Sequence, residues 1–83
     1  MRQERFEMMS NNEKLRWIYF EGEHIMAIRY YQYKVILYSL NNFFVEVFYH
    51  HTRGKIEKVE VMDKNNSRMK FYADQVSLPL SQS

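Results

Sequence analysis

Three histidines and ten carboxylates hold most of the chemical repertoire of this chain, and their spacing decides how much of it can be used. His50 and His51 are neighbours in a strand-like run, so their side chains leave the backbone in opposite directions, and His24 belongs to a different segment. A zinc or catalytic centre needs imidazoles that converge. The three are therefore read as surface or turn histidines, and no metal ligand is assigned. Glu46 and Glu60 come closer to chemistry, because two carboxylates held together raise the pKa of one, as general acid/base catalysis requires. Like charges directly opposite in a sheet are also destabilising, so this candidate polar pair needs Lys58 or a partner's cation beside it, or else a different register in the last strand. Arg29 falls on an inward position of an edge strand, where a charge discourages edge-to-edge aggregation. No Gly-x-Ser-x-Gly elbow occurs, and two glycines in the whole chain cannot build a loop that cradles phosphate. No catalytic or cofactor-binding residue is assigned, and no cofactor is expected.

Composition narrows the setting. At 83 residues the chain holds one hydrophobic core and reads as a single domain, 1–83, with flexible tails expected at 1–9 and 77–83. Apolar residues make up 46% and aromatics 17%, enough to offset the entropy of ordering the backbone. Without cysteine, neither disulfides nor thiolate zinc ligation is available, which fits a reducing, cytoplasmic location. Met1 to Met9 lacks the apolar core of a secretory signal, and no stretch approaches the ~20 apolar residues of a membrane span. A net charge of +2, with acidic and basic residues interleaved, does not by itself imply nucleic acid.

The elements that would position these residues follow from periodicity and punctuation. Ser10 followed by Glu13 has capping-box spacing and predicts a helix over about 11–21, with Leu15, Ile18 and Tyr19 on one face and Gly22 at its end. The run Trp17 to Phe20 also suits a strand. From His24 to Asp63 the density of Ile, Val, Phe and Tyr predicts four strands, about 24–31, 33–40, 43–50 and 55–63, in an antiparallel meander. Asn41-Asn42 marks a two-residue hairpin, Thr52 to Gly54 a three-residue one, and the turn near Gln32 and Tyr33 rests on strand periodicity. Ser67 then caps a short helix over about 68–76, with Met69, Tyr72, Ala73 and Val76 at helical spacing. The expected fold class is α+β.

Closing the hairpins on these turns sorts the side chains into two faces. Leu40, Phe43, Tyr38, Val45, Ile36 and Val47 share one, extended by Val59 and Val61 and by Ile25 and Ala27; this is the expected core. The other collects Met26, Ile28, Tyr30 and Val35, with Leu37, Phe44, Phe48 and Met62, interrupted by Glu46, Lys58 and Glu60. That face is too apolar for water. It points to a non-enzymatic protein–protein interaction module, a homodimer or accessory subunit that associates through this face. The alternative is a single-stranded nucleic-acid binder that stacks bases on Tyr30, Phe44 and Phe48 beside Lys58. In architecture alone, a helix followed by a meander resembles the small ribonuclease toxins of the RelE and ParE type, which implies RNA cleavage as a third reading. Those families carry a longer helical hairpin and a more basic sheet and tail, and their functional residues find no counterpart here.

Overall fold

The computed structural model describes residues 2–63 and 68–73. Helices α1 (Gln3–Glu7) and α2 (Asn11–Glu21) precede strands β1 (Glu23–Tyr30), β2 (Tyr33–Leu40), β3 (Phe43–His50) and β4 (Lys55–Val61), and a short helix, α3 (69–73), follows. The strands form one antiparallel sheet in chain order, the α+β meander that the patterning predicts. The remainder of the expected C-terminal helix, with Ser67 and Val76, and the expected 77–83 tail lie outside the described residues.

Helix α2 begins at a full capping box. The Glu13 amide donates to Ser10 Oγ at 3.3 Å and the Ser10 amide donates to Glu13 Oε1 at 3.1 Å, so two otherwise unpaired N–H groups are satisfied. Ile18 is buried and Leu15 is partly buried against the core. Tyr19, expected on the same face, points to solvent instead. It lies about a quarter-turn from the centre of the arc through Asn11, Lys14, Leu15 and Ile18 that meets the sheet. Gly22 ends the helix in extended geometry (φ −82°, ψ 155°) rather than the left-handed form. Its need for glycine is steric, since a Cβ there would sit 2.6 Å from the Ile18 carbonyl oxygen.

The 1–9 segment is not simply a tail. Residues Gln3–Glu7 form α1, whose Phe6 is fully buried and packs its ring against Phe43, centroids 5.6 Å apart. With α2 it covers the expected core face, where Leu40, Phe43, Val45, Val47 and Val59 are buried.

The register of the central hairpin is as predicted, Leu40 opposite Phe43 through Ile36 opposite Val47, and Asn41 takes the positive φ (59°) that a two-residue loop needs. Both outer hairpins differ from expectation by one extra residue. The β3–β4 turn has four residues, 51–54, closed by the Gly54 amide on the His50 carbonyl at 2.8 Å. Glu57 then bulges out, and the predicted pairs Val47–Val59 and Val45–Val61 are restored. In β1 a bulge between His24 and Met26 puts Ile25 into solvent rather than on the core face, and His24 lies opposite Tyr38. The first turn is Tyr31-Gln32, with Tyr31 at φ 56°.

Gly22→Ala is expected to cost about 1–3 kcal/mol, because backbone must shift to admit the methyl group. Ser10→Ala should cost about 1 kcal/mol through the lost cap. Urea unfolding monitored by circular dichroism measures both.

Candidate functional site

The second sheet face is where charge meets apolar surface. Glu46 and Glu60 are direct cross-strand partners, as the register test predicted, and the two charges are relieved separately. Lys58 Nζ lies 3.5 Å from Glu60 Oε2 and also sits 4.5 Å from the centre of the Phe48 ring. Glu46 is completely buried. Arg68, entering α3, donates from Nε to Glu46 Oε2 and from Nη2 to Oε1, both at 2.8 Å, and the Tyr72 hydroxyl donates to Oε2 at 2.8 Å. This two-pronged pairing matches the planar guanidinium to the planar carboxylate, and burial strengthens it. Arg68 also stacks over Phe48 and Tyr30, at 4.9 and 5.3 Å from the ring centres. Hydrogen bonding to Glu46 raises the Arg68 pKa despite burial, and burial first, then the Glu46 charge, raises that of Tyr72.

Helical spacing places Tyr72 on the inner face of the last helix and gives Arg68 no role. Its signal was available: Arg68 and Tyr72 are four residues apart, one helical turn, opposite a strand whose only inward charge is Glu46.

Helix α3 covers much of the face expected to bind a partner. Ile28, Val35, Leu37 and Phe48 are buried with Tyr72, and Met26, Tyr30 and Met62 are partly buried beside them. Phe44 alone of the eight remains exposed. For base stacking this matters, since the Phe48 ring lies beneath Lys58 and Arg68. Of the other predicted helix-face residues, Met69 and Ala73 are exposed.

A second polar cluster lies at the far end of the sheet. Tyr33 donates its hydroxyl to Glu57 Oε1 at 3.0 Å, and Arg53 Nη1 meets Glu57 Oε2 at 2.7 Å. The Tyr33 hydrogen bond holds the Glu57 carboxyl below its usual range, and the same bond raises the tyrosine pKa. His50, the last residue of β3, accepts the Arg53 amide on Nδ1 at 3.1 Å, and the amide of His51 in the turn donates to Gln32 O at 3.0 Å. His24 makes an edge-to-face contact with Tyr38. Among the described residues no group of three His, Asp or Glu side chains is arranged to hold a metal ion. The cluster ties the bulged Glu57 to the start of β2 and to the β3–β4 turn.

The most exposed aromatic side chains lie elsewhere, Tyr31 among them. On α2, Tyr19 is 82%, Phe20 70% and Trp17 38% exposed, and Met8 stands beside Trp17 at the rim of a shallow groove with Arg2 and Arg5. No described helix is long and apolar enough to cross a membrane. Comparison with known proteins returns no matching family model, no matching curated protein and no matching solved structure.

Arg68→Met is expected to cost about 3–5 kcal/mol, because it strands a buried carboxylate, and Glu46→Leu combined with it should recover most of that loss. Equilibrium unfolding of the single and double variants measures the difference. Tyr72 keeps its proton in the folded state above the pH, about 10, at which the unfolded chain loses it. Stability is therefore fully present below pH ~10 and falls as pH rises beyond it; a Tyr72→Phe titration should show a shallower alkaline loss.

Proposed function

We propose that this chain is a small non-enzymatic protein–protein interaction module, a homodimer or accessory subunit, whose contact surface is the outer face of α2. The observation that carries this reading is apolar area left in water after helices have covered both sheet faces. Trp17, Tyr19 and Phe20 are consecutive or nearly so, exposed, and of the types that concentrate at interface hot spots. Tyr19 and Phe20, strand-favouring residues inside a helix, are the most exposed of the three and contribute little to the packing of one copy. Association through the second sheet face instead requires α3 to leave Glu46 without Arg68 and Tyr72, a costly exposure of a partly apolar site.

The single tryptophan of the chain, Trp17, lies at this surface and reports on it directly. Light scattering over a concentration series should show a rise in mass accompanied by a blue shift of tryptophan emission. Phe20→Ser should weaken the association about tenfold or more while leaving the fold intact. A strict monomer at high concentration, with no partner recovered by pull-down, overturns the proposal.

A further inference from the structure

We propose, building on the self-association reading, that two copies join antiparallel through β1, so that the four-stranded sheet continues into a second copy. The two edges of the sheet are treated differently. On β4, Lys14 Nζ donates to the Val59 carbonyl at 3.1 Å and Asn11 Nδ2 to the Glu57 carbonyl at 3.5 Å, so side chains of α2 occupy the outward backbone acceptors. No such cap lies along β1 among the described residues.

Which backbone groups β1 presents follows from the alternation of an antiparallel ladder. The Met62 amide donates to the Phe44 carbonyl at 2.8 Å, and the His51 amide to the Gln32 carbonyl, so even-numbered residues of β3 bond towards β4 and odd-numbered ones towards β2. Carried across the register, Val35 and Leu37 bond to Ile28 and Met26. Ala27 and Arg29 therefore turn their N–H and C=O groups outward, ready for another strand.

The ends of this edge specify a second copy in antiparallel orientation. Glu21 and Glu23, both exposed, stand at the entry to β1; Arg29 and its cross-strand neighbour Lys34, also exposed, stand at its exit. Antiparallel pairing sets the acidic end of each copy against the basic end of the other, whereas parallel pairing sets like against like. Apolar surface follows the same rule. Tyr19 and Phe20 are within a few residues of the entry, and Tyr31, exposed and held at positive φ, is at the exit. Pairing brings the Tyr31 of one copy towards the Tyr19–Phe20 ring pair of the other. Because the β4 edge is capped, a β1–β1 contact consumes the open edge and closes as a dimer rather than growing into a fibre.

Amide hydrogen exchange followed by NMR, with light scattering on the same samples, tests this. The expected result is a dimer in which the Ala27 and Arg29 amides slow at least tenfold as concentration rises, while Ile28 and Tyr30 are protected throughout. Ala27→Pro should give a folded monomer, because the amide it removes faces outward, and Ala27→Val should still dimerise. A dimer whose Ala27 and Arg29 amides exchange freely overturns the strand pairing and leaves self-association standing. A monomer under all conditions overturns both.

Discussion

A carboxylate with no access to water, set in the middle of an apolar sheet face, is the constraint on which the rest of this structure depends. Glu46 is buried on β3 between Ile28, Val35, Leu37 and Phe48, and a charge in that position must be paired and hydrogen-bonded or it expels itself. Arg68 and Tyr72 do both, with three contacts of 2.8 Å. Against an apolar replacement such a network adds little net stability. What it adds is direction: of all segments able to lie on an apolar sheet face, the one bearing an arginine and a tyrosine one helical turn apart satisfies the carboxylate.

With α3 placed in this way, the sheet has helices on both sides, and β3 is buried along most of its length. The fold is thus two small cores sharing one sheet, the first closed by Phe6 and Ile18 and the second by Tyr72 and the Arg68 ion pair. Each face is committed to the chain's own helices. The most exposed aromatic side chains, Tyr19, Phe20 and Tyr31, lie on the outer face of α2 and at the end of β1, which is why those regions carry the functional reading.

Much of this was legible in the residues. The Asn41-Asn42 turn set the central register, and alternation then sorted the core face and brought Glu46 opposite Glu60. The capping box located the start of α2. What escaped were departures from strict period. Ile25 and Glu57 each add one residue to a strand, and a bulge leaves no mark in composition, so strict alternation puts Ile25 in the core and makes the β3–β4 turn one residue too short. Phe6 was missed because a five-residue helix is below the length at which periodicity can be recognised. Arg68 escapes a reading by register, which offers Glu46 only Lys58 or a partner's cation and does not show which helix crosses the face.

The sequence by itself determined local matters: where α2 begins, which residues alternate across the central hairpin, and that two faces of the sheet are apolar. These depend on backbone preference and on neighbours within a few positions, and both are written in residue type. Only the tertiary structure decided what covers the second face. That choice is made between groups 22 and 26 residues apart, Glu46 with Arg68 and Tyr72, by the cost of burying an unpaired charge. No local pattern records that cost, because it arises only when the helix has been laid across the sheet.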